Sequence, residues 1–433
     1  MKLKLKREVT LFTAVLYGIG IILGAGVYAL VGEAAETAGN ALWMSFVIAA
    51  AVSAFTGLSY MELISMFPKS AAEYYYIKNA FKKDWLAFNI GWIEIFADVI
   101  ATSAVSLGFA GYFYALFGTP IVWSALGLIF VMSVVNFWGI KQSADINTVF
   151  SLIEVFGLLF VIGLALYYGH YGTVNYLEMP YGVGGVVSAA ALIFFAYIGF
   201  EDLANISEEV KNPRKNVPRA LMISVLIATV IYVLVGMAVV SLTDWHVLAE
   251  SKAPLATAVS TVLGDNAFVM MSVIALFATA NTVLIGLIVG SRAFYGMSMD
   301  GTLPKSLCKI HKTRRTPYVA VLLTMLLSMA FVLFGHLNLV ASITDFGTFF
   351  VFIFVNLAAI GLRYTRPKAK RSFKIPINIG KFPVIPFLGL LTSIILMTHL
   401  STESIAIGFG AVAFGFVLYI LYNRKKLFRK KKR

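Results

Sequence analysis

Twelve stretches of this chain are apolar over, or nearly over, the ~20 residues that a helix needs to cross a bilayer. They fall at 10–31, 41–66, 85–117, 120–138, 147–169, 184–205, 217–242, 266–291, 317–335, 339–362, 383–399 and 403–422, and use most of the length. In hydrocarbon every backbone N–H and C=O must be paired within the protein, which selects helices for such runs. Of the 433 residues, 60% are hydrophobic and 13% charged, against roughly a quarter charged in soluble domains. The expected fold class is an all-α polytopic membrane protein, a single transmembrane domain over residues 1–433. No length remains for a second, soluble domain.

A formal net charge of +14 raises the question of nucleic acid, and the placement of the cations answers it. Lys and Arg gather in the N-terminal tail, in the connections after spans 2, 4, 6, 8 and 10, and in the C-terminal tail; only Lys252 falls on the other side. The positive-inside rule then puts both termini in the cytoplasm, with an even number of spans; the cell membrane is the expected location. The basic tail at 423–433 reads as a solvated anchor beside anionic lipid, at ~1 kcal/mol per charge near the surface. No nucleic-acid partner is expected. No signal-peptide pattern is present, because the first apolar stretch is too long and lacks a cleavage site. Cys308 is the single cysteine, and the five histidines stand without metal-ligand spacing. No disulfide within the chain, metal site or cofactor is therefore expected, and no nucleophile–base pair suggests an enzyme.

Two spans are weakened in mid-membrane. Span 1 reads Gly18-Ile-Gly20-Ile-Ile-Leu-Gly24-Ala25-Gly26-Val27-Tyr28, and span 6 reads Phe195-Ala-Tyr-Ile-Gly199-Phe-Glu201. Glycine costs ~1 kcal/mol relative to alanine in a helix, and an unwound turn frees amides and carbonyls that survive in a membrane only where they line a cavity or meet a ligand. Spans 1 and 6 are five apart, so they run in opposite directions, as a five-plus-five inverted repeat requires. Paired glycine-interrupted spans of this kind point to a transporter binding site. The repeats would cover about 10–169 and 184–362, with helices 11 and 12 at 383–422. Close helix packing is the competing reading of Gly20 and Gly24, which form a GxxxG spacing.

Several motifs in order carry a resemblance. They are Gly24-Ala25-Gly26-Val27-Tyr28; Tyr60-Met-Glu62-Leu through Phe67-Pro68-Lys69-Ser70-Ala71-Ala72-Glu73-Tyr74; Phe195 to Glu201 followed by Glu208-Glu209-Val-Lys-Asn212-Pro213; and Ser291-Arg292 with Asp300-Gly301-Thr-Leu-Pro304 and Thr316-Pro317. From about Thr10 to Pro376 the chain resembles the amino acid–polyamine–organocation transporters, which have the leucine-transporter-like fold. The resemblance implies discontinuous helices 1 and 6 and an amino acid substrate whose carboxylate sits on the amides around Ala25 and Gly26. Its ammonium would meet the carbonyls of Ile22, Phe195 and Ile198, under an aromatic lid formed by Phe195. It also implies a gating acid at Glu201, for which a helix cap is the plainer alternative. The family's sodium site borrows hydroxyls from span 8; Thr279 and Thr282 match it in part, so protons are expected to drive transport rather than sodium. Relatives often have Ser at the position of Ala25, and a Gly pair where this chain has Ala71-Ala72.

Acidic residues stand within the spans at Glu62, Glu94, Asp98, Glu154, Glu201, Asp202 and Asp345, and no span interior holds a Lys or Arg. Each costs ~2.5–3.5 kcal/mol if charged. Glu62, near the end of span 2, is expected to snorkel. Glu94, Asp98, Thr102 and Ser106 recur at i+4 along one face of span 3, which makes Asp98, ~20 Å into the span at 1.5 Å per residue, a candidate pocket acid; interhelical bonding is the alternative for Glu94. Asp345 is a candidate for an outer gate. Asn147, Ser151 and Glu154 line one face of span 5. Many relatives place a Lys at the point of Glu154, where its charge stands in for a sodium ion, so the resemblance makes Glu154 a candidate for proton coupling. The function expected is secondary active transport of amino acids, by proton symport with alternating access. Exchange of cationic amino acids or polyamines, and a membrane sensor that binds without transporting, are the alternatives. Neither the amino acid carried nor the oligomeric state can be read from the sequence.

Overall fold

The computed structural model describes residues 5–251, 253–333 and 337–430. Lys252, expected alone on the outer face, and the tail end at 431–433 lie outside the described residues. In chain order the helices are α1 (Leu11–Ile22), α2 (Ala25–Ala38), α3 (Leu42–Met66), α4 (Ala72–Phe81), α5 (Asp84–Phe117), α6 (Ile121–Trp138), α7 (Ile140–Tyr168), α8 (Gly182–Tyr197), α9 (Asp202–Asn205), α10 (Pro213–Leu242), α11 (Trp245–Glu250), α12 (Pro254–Leu263), α13 (Asp265–Met299), α14 (Tyr318–Val332) and α15 (Leu337–Thr365). A two-stranded hairpin, β1 (Asn378–Ile379) against β2 (Phe382–Pro383), leads into α16 (Val384–Thr398) and α17 (Thr402–Lys430). The protein is a polytopic all-α membrane protein: ten segments among the described residues are long and apolar enough to cross a membrane. Spans 9 and 11 of the sequence reading correspond to α14 and α16, shorter apolar helices of 15 residues each. At 1.5 Å per residue these reach ~22 Å, against a ~30 Å hydrocarbon core.

Both expected breaks are present. α1 stops at Ile22 and α2 starts at Ala25, with Gly24 between them at φ −54°, ψ −145°. α8 stops at Tyr197, and Gly199 takes φ +112° before α9 begins at Asp202. Only glycine adopts that φ at no steric cost, so the second break is written into the sequence at Gly199. The helices five spans apart pack on one another: α2 on α8, α3 on α10, and α5 on α13. α16 packs against α3 and α15, and α17 against α5 and α15, so the last two helices brace the outside of this core.

The basic connections share one face. Lys69 pairs with Glu208 at 3.3 Å, Lys78 pairs with Asp300, and Arg292 at the end of α13 meets Glu209 of the α9–α10 connection at 3.0 Å. Arg292 is fully buried, and its second nitrogen reaches Asn136 at 2.6 Å. One expectation fails here. Glu62 does not snorkel: it is 1% exposed and accepts from Arg363 at 2.6 Å, Arg371 at 2.8 Å and the Ile375 amide at 2.9 Å. The segment after α15 folds back over the end of α3, and a buried carboxylate with three donors has no reason to reach for water.

Candidate functional site

The two breaks face each other across a cavity of about 70 Å³, well above the ~10–15 Å³ that holds a water. Ile22, Ala25, Gly26, Asp98, Phe195 and Ile198, the residues expected to bind substrate, all line it. Their approach is close: a Cβ on Gly26 would lie 2.6 Å from Cα of Ala196, so α2 and α8 meet backbone to backbone at this point.

The groups freed by unwinding have partners, and these show how the breaks are held. The Ala25 amide donates to Oγ1 of Thr282 at 3.2 Å. The hydroxyl of Tyr232, on α10, reaches the carbonyls of both Ile22 and Ala196, the latter at 3.0 Å. Its ring is packed between Phe46 and Tyr197. The Gly199 amide donates to Oε2 of Glu201 at 2.9 Å, so Glu201 caps the break while also lining the cavity. Gly24 itself offers no capping side chain, so beyond the Ala25 amide held by Thr282 the first turn of this 14-residue helix attracts an anion through its dipole and remaining amides. The end of α1 attracts a cation. One side of the cavity therefore suits a carboxylate and the other an ammonium.

Thr279 is not on the cavity; its hydroxyl donates to Ala275 O and Leu276 O of its own helix, at 2.8 and 3.1 Å. Thr282, one turn on, is the hydroxyl that α13 presents to the break in span 1. Glu154 is also off the cavity, 0% exposed, in a polar cluster where α1, α7 and α13 converge. Nδ2 of Asn281 donates to its Oε1 at 3.0 Å, and Asn147 donates to Asn281 at 2.8 Å. Oε2 of Glu154 is buried with no partner. A Cβ on Gly20 would strike Ser151 and come within 2.6 Å of Asn281. Gly20 is thus bare because a polar cluster presses on it. Asp345 is buried with Oδ1 unpaired and does not line the cavity.

Three acids meet inside the cavity. One carboxylate oxygen from each of Glu94, Asp98 and Asp202 lies within 4.8 Å of the others, close enough to share one positive charge. Among the described residues no hydrogen bond or ion pair reaches the three carboxyl groups, Oδ2 of Asp98 is buried without a partner, and no Lys or Arg lines the cavity. Below, outside the spans, Glu73 at the start of α4 accepts from Nδ2 of Asn205 at 3.2 Å, while Asn205 Oδ1 takes the Ala72 amide at 2.9 Å. Burial pushes the Glu73 carboxyl up to about 7, although its own backbone amide and Asn205 hold it down in part.

Tyr232 and Asn281 escaped the sequence reading. The signal for Tyr232 was a lone hydroxyl in an otherwise apolar stretch of span 7, since a buried tyrosine hydroxyl usually has a partner. Asn281 was visible only as the residue between two threonines.

Comparison with known proteins agrees with this architecture. A family model described as amino acid permease matches residues 9–423. The chain is 33% identical to a branched-chain amino acid permease of Bacillus subtilis, over 97% of this chain and 94% of that one. It is 30% identical to a methylthioribose transporter of the same organism, over 97% and 94%. It is 28% identical to a vacuolar cationic amino acid transporter of Arabidopsis thaliana, over 84% of this chain and 64% of that one. Breaks, cavity and matches agree: the chain belongs to the amino acid permease family and is a membrane transporter of amino acids, not an enzyme.

Proposed function

We propose that this permease is a secondary active transporter of the cell membrane that carries amino acids by proton symport with alternating access. Both termini are cytoplasmic, α14 and α16 complete twelve spans, and the first ten form two inverted repeats. The basic tail rests on anionic lipid. The observation that carries the reading is the cavity between the paired breaks, with the start of α2 on one side and the end of α1 on the other. The substrate carboxylate sits at Ala25 and Gly26, and Phe195 covers it. The ammonium meets the carbonyls of Ile22, Phe195 and Ile198. Tyr232 already holds the Ile22 carbonyl, but a carbonyl has two lone pairs and accepts a second donor. Glu154 takes up and releases the coupling proton, and Glu201 opens and closes the inner path. One proton crossing 100 mV supplies ~2.3 kcal/mol, roughly a 50-fold gradient of a neutral substrate.

A second reading, exchange of cationic amino acids or polyamines, is favoured by the meeting of Glu94, Asp98 and Asp202. Uptake of radiolabelled leucine and lysine into proteoliposomes holding the purified protein tests both. Leucine accumulation driven by an inward proton gradient supports symport; lysine entry that needs an internal amino acid supports exchange. Binding without uptake of either would mean a sensor.

A further inference from the structure

We propose that the cluster of Glu94, Asp98 and Asp202 is a proton-exchange site, which holds protons in the empty cavity and gives up one when a substrate's side-chain cation enters. The inference rests on the amino acid reading of the cavity, and it makes the number of protons moved depend on the charge of the substrate.

Three carboxylates whose oxygens lie within 4.8 Å of one another repel strongly in a medium of low dielectric. Like charges this close are not all ionised without compensation. In most buried clusters the compensation is a cation or a set of amide donors. Here no Lys or Arg lines the cavity. Glu94 is 6% exposed and Asp202 7%, both line the cavity, and neither side chain makes a hydrogen bond to a described residue. Oδ2 of Asp98 is buried and unpaired.

The one positive charge felt on this side among the described residues, Arg292 of α13, acts on Tyr17 and is held by Glu209 and Asn136 rather than by the cluster. Glu201 lines the same cavity, and Glu73 of α4, Tyr17 of α1 and Tyr60 of α3 are near enough to interact electrostatically with members of the cluster. From α13 and α15 the cavity is lined by Thr282, Gly286, Thr344 and Thr348. With no side-chain cation supplied by the lining, the compensating charge under this proposal is a proton on the cluster itself. A substrate anchored at the breaks by its carboxylate and ammonium turns its side chain toward span 3. A side-chain ammonium there brings one positive charge, and one carboxylic O–H gives its proton to water. A neutral side chain brings none, and the proton stays.

Proton release on binding reads this directly. Purified protein in weakly buffered detergent solution with a pH indicator is mixed with lysine or with norleucine, which differ by the terminal amine. The expected result is about one more proton released per lysine bound than per norleucine bound, and a smaller excess for Glu94→Gln and for Asp202→Asn. Equal release from the wild-type protein for the two ligands, with both bound, overturns the proposal. So does binding of norleucine with no binding of lysine or of 1,5-diaminopentane, a result that leaves the amino acid reading intact. Failure of every amino acid to bind would instead remove the reading beneath it.

Discussion

Asn281 on α13 donates from Nδ2 to Oε1 of Glu154 on α7 at 3.0 Å. The next residue, Thr282, accepts from the Ala25 amide at the break in span 1. One dipeptide of α13 thus touches both the candidate coupling acid and the candidate substrate site, so a change at Glu154 has a short physical route to the break. Removing the donor leaves a buried carboxyl with neither oxygen paired, at a cost of about 1–3 kcal/mol. Asn281→Ala is expected to unfold at lower temperature than the wild type in detergent. An unchanged midpoint would mean that Glu154 does not depend on Asn281.

Gly26 is the point of closest approach between the broken spans. A Cβ there meets Cα of Ala196 at 2.6 Å, and backbone cannot swing away as a side chain can. Gly26→Leu is expected to abolish the thermal stabilisation that an amino acid ligand confers, which is ~2.7 kcal/mol at 100 times the dissociation constant. Wild-type affinity in this variant would remove the site from the breaks.

Tyr232 bridges the two breaks with one hydroxyl. Tyr232→Phe keeps the ring between Phe46 and Tyr197 and removes only the donor. Two buried carbonyls then lose their partner, and loosening of the breaks by ~1.4 kcal/mol corresponds to tenfold in affinity. Isothermal titration should show binding weakened by about that factor. Unaltered binding would show that the breaks hold their shape without the hydroxyl.

Glu73 supplies a prediction in pH. Its folded value of about 7 lies above the ~4.3 of a free glutamate, so the folded state keeps a proton that the unfolded state loses. Its contribution to stability is complete below pH ~4.3 and is lost as pH rises through the folded value. The wild type should lose stability from pH 5 to pH 7.5 more steeply than Glu73→Gln, measured by thermal unfolding across that window. Parallel curves would mean that Glu73 titrates unshifted.

The placement of the helices and both breaks could be read from the sequence, because apolar length and Gly199 are local signals. The lining residues at Ile22, Ala25, Gly26, Phe195 and Ile198 came from motif resemblance, and Asp98 from polar periodicity along one helix. Partners distant in the chain were hidden. Tyr232 bonds to Ile22 across 210 residues and Arg363 to Glu62 across 301, and no periodicity within a span reports such pairs. Glu62 was misjudged for that reason: the arginines that hold it arrive from a connecting segment. Thr279 and Thr282 differ by three positions on one helix, and only the crossing of α13 against the break in span 1 tells them apart.

If protons drive amino acid transport through Glu154, uptake by Glu154→Gln in proteoliposomes beside the wild type is the direct measurement. Glutamine keeps the size and the neutral form of the side chain but cannot give up a proton. With an inward proton gradient the wild type should accumulate labelled amino acid above the outside concentration. The variant should lose that accumulation yet still exchange labelled for unlabelled amino acid. If Glu154→Gln accumulates substrate as the wild type does, with the same dependence on pH, Glu154 is structural and the account of coupling is wrong.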